Sequence, residues 1–339
     1  MKILFTGGAG FIGSHMCEFL VRNQHQVTIL DNLSTGRERN VESIIKSPQV
    51  QFINGDIKNQ ELLDSLLPGH EIVFHFCDNS DIQFAASHPD TYMDQNVMGM
   101  FNLLQLMRKH GIKKIAFPSS TTVFGDATVV PTPESYGPLR PMNLYGSAKV
   151  ACEALASGFA YTYDLQAWIF RFVGIVGPRM DHGVIFDFVK KLHSNPERLD
   201  VLGDGTQMRN FLIVEDCVDA IWKSIQETHE KVNFVHIGNT DDVSIRRVAE
   251  IVREVMGLSN TQLAFADSKR GWKGDALTNM ISCDTLNRLG WSPKIKGAER
   301  TVYHAATRIV EHGRKHGIFQ IPRGLEQSKA WSADNLASM

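Results

Sequence analysis

Short apolar runs alternate with longer segments of helical periodicity along the first half of the chain. Continuous apolar runs of this length are typical of strands that are covered on both faces of a sheet. They occur at KILFT (2–6), VTIL (27–30), VQFI (50–53), EIVFHF (71–76), KIAF (114–117) and AWIFRFV (167–173). Between them, the apolar spacing predicts helices over 11–22, 59–67, 91–110 and 145–163. This alternation predicts an α/β fold with a doubly wound parallel sheet and right-handed crossovers.

The second half of the chain has a looser pattern and longer polar loops. It predicts helices near 183–193, from 215 onward, at 243–256 and at 297–313, with a returning strand at 234–238. We therefore expect a smaller, interleaved α/β lobe that binds the substrate. The predicted boundaries are 1–174 for the sheet domain, with return segments from the C-terminal half, 175–325 for the second lobe and 326–339 for a polar tail.

The charge balance argues against a general binder of polyanions. The 339 residues include 35 Lys and Arg against 37 Asp and Glu, a formal net charge of −2, so we expect no nucleic-acid partner. The five cysteines are far apart, with no C-x-x-C pair, which favours neither disulfides nor a metal site. The N-terminal apolar run is too short for a signal peptide, and no run of about 18 apolar residues occurs. We expect a cytoplasmic protein without a membrane segment.

A glycine-rich turn links the first predicted strand to the first predicted helix. The stretch GGAGFIG places Gly7, Gly8, Gly10 and Gly13 there. Small residues let the backbone approach a diphosphate, whose charge is favoured at a helix N-terminus; a tight turn without a ligand is the alternative. Asp31 ends the second strand about 20 residues later, where a ribose hydroxyl binds in dinucleotide sites. The pattern indicates a Rossmann domain.

The residue at the end of the second strand favours NAD as the cofactor. The carboxylate of Asp31 would repel the 2′-phosphate of NADP. Arg37 and Arg39 follow in the same loop and leave NADP as the alternative. Asp56, after the third strand, is expected either to accept a hydrogen bond from the adenine amino group or to cap the next helix.

A tyrosine and a lysine on one predicted helix are candidates for proton transfer. Tyr145 and Lys149 are one turn apart, so their side chains lie on the same side. An ammonium group beside a phenol lowers the pKa of the phenol, which makes Tyr145 a candidate base near neutral pH. Ser120, in the stretch PSSTTVFG, ends the fifth strand at the edge where such sheets bind ligands. Strand-end hydrogen bonds to the backbone are expected of its neighbours Ser119, Thr121 and Thr122.

Together these motifs resemble the extended short-chain dehydrogenase/reductases, and among them the NAD-dependent epimerase/dehydratase family, with its nucleotide-sugar 4-epimerases of the UDP-glucose type. The resemblance covers residues 1 to about 310 and rests on G-x-x-G-x-x-G, DNLSTG (31–36), GDI (55–57), Asn96, S-S-x-x-V-x-G (119–125) and Y-G-S-A-K (145–149). It implies catalytic roles for Tyr145, Lys149 and Ser120. It implies NAD contacts for Gly7, Gly10, Phe11, Ile12, Gly13, Asp31, Asn32, Ser34, Thr35, Gly36, Asp56, Ile57, Phe76, Cys77, Asp78, Asn96, Tyr145, Lys149 and Val173.

The resemblance also implies a nucleotide-diphospho-sugar substrate, expected to be UDP-linked. The implied substrate residues are Ser120, Thr121, Gly174, Arg179, His182, Val184, Arg209, Arg270 and Asp275. A guanidinium suits a bidentate grip on a diphosphate, although an ordinary surface arginine is the alternative for Arg209 and a solvated loop histidine for His182. Relatives form homodimers through the helices that correspond to 91–110 and 145–163, which implies a homodimer here; core packing explains their apolar faces equally well.

The two residues after Ser120 indicate the reaction. Sugar 4,6-dehydratases of this superfamily carry Asp-Glu at the positions of Thr121 and Thr122, and sugar-acid decarboxylases carry Glu at the second. A hydroxyl cannot shuttle a proton at neutral pH as a carboxylate does. We therefore predict an epimerase that oxidises C4 of the sugar to a transient ketone and returns the hydride to the opposite face.

Three residues depart from the pattern of the relatives. Asp78, in HFCD, stands where relatives have alanine; Gly174 replaces an asparagine; Pro118 replaces a small polar residue and removes a backbone donor. With Asp78 as an extra acid or base, a nucleotide-sugar dehydratase is the alternative, unless Asp78 faces solvent or caps the next segment. A catalytically silent NAD-binding scaffold is disfavoured because Tyr145 and Lys149 are both present.

Overall fold

The apolar runs of the first half form one parallel sheet of seven strands. We describe residues 1–80 and 88–318 of a computed structural model; the polar tail predicted for 326–339 lies outside them. The strands are β1 (Lys2–Thr6), β2 (Gln26–Asp31), β3 (Val50–Asn54), β4 (Ile72–His75), β5 (Lys114–Ser120), β6 (Gln166–Phe172) and, from the second half, β11 (Val232–Ile237). Their order is β11-β6-β5-β4-β1-β2-β3, and all neighbouring pairs are parallel. The prediction of a doubly wound parallel sheet is confirmed.

The helices also follow the sequence pattern closely. They are α1 (Phe11–Arg22), α2 (Gln60–Leu66), α3 (Pro89–Thr91), α4 (Gly99–Lys109), α5 (Leu144–Tyr163), α6 (Val184–Ser194), α7 (Val214–Glu227), α8 (Ile245–Val255), α9 (Asp284–Arg288) and α10 (Ala298–Lys315). Short 3₁₀ turns occur at Glu38–Asn40 and Thr121–Phe124.

The single helix predicted over 91–110 is wrong in one respect. A π-helical segment, Tyr92–Met98, separates α3 from α4. Inside it, the carbonyl of Asn96 accepts a hydrogen bond from Cys152 Sγ on α5, at 3.4 Å. Wider turns of this kind are rare in proteins overall, and those that occur are often at functional sites. The segment carries the side chain of Asn96 toward the end of β4, as described below.

Neighbouring residues of each central strand face opposite sides of the sheet. Leu4, Leu30, Val73, Ile115 and Ile169 pack on one side, while Phe5, Ile29, Phe74, Ala116 and Phe170 pack on the other. This is the two-residue alternation of a strand that is covered on both faces. A further core lies in the C-terminal half, where α10 packs against α6 and α8. The division into domains at residue 174 stays a prediction.

The sequence did not predict the short strands of the second half. They are β7 (Gly174–Val176), β8 (Arg198–Val201), β9 (Met208–Arg209), β10 (Phe211–Ile213), β12 (Val243–Ser244) and β13 (Gln262–Phe265). They pair as β7 with β10, β9 with β12 and β8 with β13. Strands of two to four residues contain too few alternations for a period to be recognised.

Parallel strands bring all their carboxyl ends to one edge of the sheet. The strand order reverses between β1 and β4, and in doubly wound sheets ligands bind in the crevice at such a point. This edge carries the ends of β1, β2, β4 and β5, and the loops that follow them hold many of the predicted NAD contacts.

Candidate active site at the carboxyl edge of the sheet

The turn after β1 leaves no room for side chains at its glycines. Gly7 has a φ of +76°, and a Cβ added there would lie 2.5 Å from the carbonyl carbon of Phe76. A Cβ on Gly13 would lie 2.2 Å from the carbonyl oxygen of Gly7. Gly10 precedes α1 without a side-chain capping bond. A turn of bare backbone at a helix N-terminus suits a diphosphate.

Asp31 is buried beside this turn at the end of β2. Its Oδ2 accepts a hydrogen bond from the backbone nitrogen of Ala9 at 2.8 Å, and its Oδ1 accepts one from Leu33 at 2.9 Å. A Cβ on Gly36 would come within 2.7 Å of Oδ1, so the loop after β2 also approaches closely. Burial raises the pKa of Asp31, and the two backbone donors oppose that rise. The glycine turn and this carboxylate fit the diphosphate and ribose of NAD.

Asp56 does not cap the helix that follows it. Its Oδ1 accepts a hydrogen bond from the backbone of Lys58 at 2.8 Å, and its Oδ2 accepts one from Asn32 at 3.0 Å. The cap of α2 is Asn59, whose side chain accepts from Leu62 at 3.1 Å. The capping interpretation of Asp56 is therefore wrong, and its adenine contact stays a prediction.

The other predicted NAD contacts follow the same strands. Phe11 and Ile12 begin α1, Ser34 and Thr35 follow β2, Ile57 follows β3, Phe76 and Cys77 follow β4, and Val173 follows β6. Burial raises the pKa of Cys77 to about 12, so this thiol stays protonated at neutral pH.

Replacing Gly13 with alanine should lower NAD affinity more than tenfold and destabilise the fold. The added Cβ would overlap the carbonyl oxygen of Gly7 and force the turn away from α1; forced overlaps of this kind typically cost about 1–3 kcal/mol. Titration calorimetry with NAD and urea unfolding measure the two effects.

Gly158 in α5 is the matched control for this variant. Nothing lies within 4 Å of a Cβ added at Gly158. Gly158→Ala should leave NAD affinity unchanged and stabilise the protein by about 0.5–1 kcal/mol, because alanine favours a helix interior. Equal NAD affinity in both variants would show that the turn is not the diphosphate site.

The start of α5 brings the predicted catalytic residues to the end of β5. Asn143 caps the helix by accepting a hydrogen bond from Gly146 at 2.8 Å. A Cβ on Gly146 would lie 2.7 Å from the carbonyl oxygen of Thr122, so the glycine lets α5 approach the strand end. Tyr145 is 8% exposed and Lys149 is fully buried. The side chain of Ser120 acts on the Tyr145 hydroxyl and favours a lower pKa for it.

Asp78 lies at the centre of this group. Its Oδ2 is 2.7 Å from Lys149 Nζ, its Oδ1 accepts a hydrogen bond from the Asn96 amide, and its charge acts on the Tyr145 hydroxyl. Lys149 also donates to the carbonyl oxygen of Pro118 at 2.6 Å. The interpretation of Asp78 as a solvent-facing or capping residue is therefore wrong.

This carboxylate changes the electrostatics expected of the tyrosine. Burial and the negative charge of Asp78 raise the pKa of Tyr145 well above its ordinary value. The expectation that Lys149 lowers it is wrong for the ligand-free protein, because the ammonium is already paired. Burial raises the pKa of Asp78 as well, against the opposing effect of Lys149. Burial and Lys149 lower the pKa of His75 to about 3, so this imidazole is neutral.

The serine and threonines beside Ser120 do not behave as expected. Ser119 donates to Glu153 Oε1 at 2.5 Å rather than to the backbone. Glu153 is in turn paired with Arg171, whose Nη2 and Nε lie 2.8 and 3.0 Å from its two oxygens. Thr121 is buried, and Thr122 Oγ1 is buried without a hydrogen-bond partner in the described part of the chain. The strand-end prediction is therefore wrong for Ser119 and Thr122.

Two departures from the relatives have local explanations. Pro118 is tolerated in β5 because the pairing with β4 ends at Ala116, so no ladder hydrogen bond on that side depends on a donor at position 118. At Gly174, a Cβ would lie 2.8 Å from the ring of Phe211 on β10. The aromatic ring therefore occupies the space that a larger side chain at position 174 would need.

Three predicted substrate residues contact one another, and one of them pairs with a fourth residue that the sequence did not single out. Arg209 Nη2 lies 2.6 Å from Asp275 Oδ1. Arg270 Nη2 lies 2.6 Å from Asp126 Oδ2, and Arg270 also donates to the carbonyl oxygen of Asp275. Its Arg270 partner lowers the pKa of Asp126. Asp126 directly follows the S-S-x-x-V-x-G motif. Its position next to that motif is the feature of the sequence that could have identified it.

The remaining predicted substrate residues lie apart from this cluster. Arg179 has a φ of +74°; it pairs with Glu18 at 2.6 Å and donates to Ser14 Oγ at 3.2 Å, both on α1. His182 Nε2 lies 3.3 Å from Ser80 Oγ, just after Asp78 in the chain. Val184 begins α6.

The glycine turn, the buried acid after β2 and the Tyr–Lys–Ser group at one sheet edge define a nucleotide-binding enzyme of the short-chain dehydrogenase/reductase class. The model of the NAD dependent epimerase/dehydratase family matches residues 3–238. A putative UDP-glucose 4-epimerase of Methanocaldococcus jannaschii is 32% identical over 309 residues, 88% of this chain and 97% of that protein. This chain belongs to the NAD-dependent epimerase/dehydratase family.

Two solved structures similar to this chain are named as an epimerase and as a dehydratase. UDP-glucose 4-epimerase of Thermotoga maritima, with UDP-glucose, has a TM-score of 0.83 at 28% identity and covers 93% of this chain and 99% of its own. A dTDP-glucose 4,6-dehydratase of Streptomyces venezuelae with NAD bound has a TM-score of 0.85 at 26% identity. It covers 94% of this chain and 99% of its own. The family, the fold class, an enzymatic function and NAD as cofactor are thus confirmed. The roles of single site residues stay predictions.

Metal-binding clusters and membrane-spanning helices are both absent from the described part of the chain. Across residues 1–80 and 88–318, no group of His, Cys, Asp or Glu side chains could hold a metal ion. In the same ranges, no helix combines the length and apolar character needed to cross a membrane.

Proposed function

We propose that this chain is an NAD-dependent nucleotide-sugar 4-epimerase. The observation that carries the proposal is the placement of Tyr145 and Lys149 at the carboxyl edge beside Ser120, with threonines at both positions after Ser120. This set can remove and return the proton of a sugar hydroxyl. It offers no carboxylate after Ser120 for the elimination of water. The names of the relatives, which include UDP-glucose 4-epimerases, support the same reaction.

The chain's own residues act on a proton. When bound, NAD accepts a hydride from C4 of the sugar and can return it, so no cofactor is consumed in a cycle. Tyr145 removes the proton of the 4-hydroxyl, and Ser120 orients the hydroxyl through its hydrogen bond. The resulting 4-keto sugar rotates in the site so that its opposite face is presented to the hydride. Tyr145 then returns a proton to the oxygen as the hydride adds to that face.

The arginine cluster is the candidate site for the diphosphate of the substrate. Guanidinium groups bind phosphate oxygens through paired, charge-assisted hydrogen bonds. Arg209 and Arg270 face each other across Asp275, which contacts both. We infer that the diphosphate of a UDP-linked sugar takes over these hydrogen bonds.

A dehydratase is the second candidate, and Asp78 is the observation that favours it. A buried carboxylate beside Tyr145 could act as the extra acid or base that elimination needs. Asp78, however, is paired with Lys149, accepts a hydrogen bond from Asn96 and interacts with Tyr145. An acid or base behind the tyrosine serves proton transfer at the sugar oxygen, which an epimerase requires as well.

The products formed from a panel of nucleotide sugars test the proposal. The panel is UDP-glucose, UDP-galactose, UDP-N-acetylglucosamine and dTDP-glucose, the sugar nucleotides of both reactions. We expect a product with inverted C4 and an unchanged C6 oxygen, followed by NMR. A 4-keto or unsaturated product would instead establish the dehydratase.

Two further features stay predictions. We propose a homodimer formed through α4 and α5 with the π-helical segment, because this surface exposes Met93, Met98 and Tyr161, the last with 70% of its surface accessible. Exposed apolar patches often mark association surfaces. A cytoplasmic location is also proposed, on the spacing of the free cysteines.

A further inference from the structure

The ion pair between Asp78 and Lys149 is the feature of the site that the proposed chemistry does not explain. In the usual arrangement of this active site, the lysine ammonium is the counter-ion of a tyrosine phenolate. Here the ammonium has a carboxylate partner at 2.7 Å and a carbonyl partner at 2.6 Å. Lys149 Nζ also lies 5.4 Å from the centre of the Tyr145 ring, and the charge of the same carboxylate acts on the Tyr145 hydroxyl. Three groups that exchange protons or charge therefore lie together in one buried site.

The charge of the group is balanced before any substrate binds. A neutral phenol, a carboxylate and an ammonium sum to zero, as a phenolate and an ammonium do. The two arrangements differ in that this protein holds one more carboxylate and one more proton inside the site. Because the group is buried, moving that proton within it costs less than exchanging it with bulk water.

We propose that Asp78 stores the proton of Tyr145 during turnover, a role that rests on the proposed function. As the sugar hydroxyl gives its proton to Tyr145 Oη, the proton that Tyr145 held moves to the carboxylate of Asp78. The O–H bond of the 4-hydroxyl and the C–H bond at C4 break, a C=O bond forms at C4, and the hydride goes to NAD. Neutralising Asp78 adds one positive charge to the site, which offsets the positive charge removed by hydride transfer. The return of the hydride reverses each movement.

No other described group near this trio competes for the proton near neutral pH. The ionisable side chains that act on the trio are His75, Cys77, Tyr92 and Cys152, with Asp31 and Asp56 acting on Cys77 and Glu153 acting on Cys152. Burial and Lys149 lower the pKa of His75 to about 3. Burial raises the pKa of Cys77 and of Cys152 to about 12. Proton transfer from Tyr145 is therefore directed to Asp78.

The pH dependence of turnover distinguishes storage from a structural role. In the unmodified protein, turnover should fall only at acid pH, where Asp78 is already protonated and cannot accept. It should be flat through neutral and mildly alkaline pH, because Tyr145 need not ionise in advance. In Asp78→Asn the phenol must lose its proton to water, so turnover near neutral pH should drop about 100-fold and rise with pH. Asp64→Asn, at an exposed pair with Lys109, is the control and should keep the unmodified profile.

A second measurement needs no turnover. The phenolate absorbance of Tyr145 is obtained in the cofactor-free protein by subtracting the spectrum of Tyr145→Phe. We expect no phenolate at neutral pH in the unmodified protein. In Asp78→Asn it should appear at lower pH than in the unmodified protein, because the opposing charge is gone. Formate should partly restore turnover in Asp78→Ala by filling the vacated space.

The outcomes separate the two proposals. A phenolate at neutral pH in the unmodified protein would overturn the storage role, and so would an unmodified pH profile in Asp78→Asn. If the Asn variant does not fold, the spectrum and pH profile of the unmodified protein still decide. Absence of turnover on the whole sugar panel would overturn the proposed function, and the storage role with it.

Discussion

Tyr145→Phe should lower turnover of nucleotide sugars about 10³-fold or more while leaving NAD binding and the fold intact. The phenol is the group placed to take the proton of the sugar hydroxyl, since it lies at the carboxyl edge where both Ser120 and Asp78 act on it. General acid–base catalysis contributes about 10²–10⁴-fold, and phenylalanine keeps the ring but removes the proton. Initial rates with the best sugar of the panel measure the effect, and calorimetry with NAD checks the cofactor site.

Tyr161→Phe is the matched control for this substitution. Tyr161 lies on the same helix and is 70% exposed, so removal of its hydroxyl should change turnover by less than about twofold. Ser120→Ala should fall between the two variants, because it removes one hydrogen bond and no proton acceptor. Undiminished turnover in Tyr145→Phe would contradict the whole account of the site.

Glu153→Gln should destabilise the protein by about 3–5 kcal/mol, the largest stability effect that the structure predicts. The substitution leaves the guanidinium of Arg171, 4% exposed, without its counter-ion. Breaking a buried ion pair from one side costs this much because a buried charge is left uncompensated. Ser119 would also lose its carboxylate acceptor. The free energy of unfolding in urea measures the loss.

A pair at the surface gives the comparison. Glu227→Gln breaks the ion pair with Lys223 on α7, in which both partners are partly exposed, and should cost less than about 1 kcal/mol. If Glu153→Gln and Glu227→Gln had equal effects, the buried pair of Glu153 and Arg171 would contribute no more to stability than a solvent-exposed pair.

The sequence predicts the sheet well because its strands are buried on both faces. β1 and α1 have the predicted limits, and most other strands of the sheet agree within one or two residues. The exception is β5, which continues to Ser120 although the apolar run ends at Phe117. Its last residues, Ser119 and Ser120, are polar because one contacts Glu153 and the other Tyr145. Polarity marks the site here and not the end of the strand.

The contacts made by the charged residues could not be read from the sequence. Asp78 was identified as unusual, but its distance from Lys149 depends on how β4, β5 and α5 align, which no local pattern encodes. Arg171 gave a signal, since a charge inside the apolar run AWIFRFV implies a buried partner. The partner itself, Glu153, lies on a helix whose rotation is set by packing. Arg179 turns toward α1 through a left-handed backbone conformation that glycine usually provides.

Under the proposed function, the acidic partners of Arg209 and Arg270 make the arginine cluster selective among anions. Each guanidinium has a carboxylate at 2.6 Å, so an incoming anion must displace a bond that the protein makes with itself. An anion that engages one guanidinium would recover one of these bonds. A diphosphate that contacts both would recover both, so the cluster would favour the proposed substrate class over simple salts.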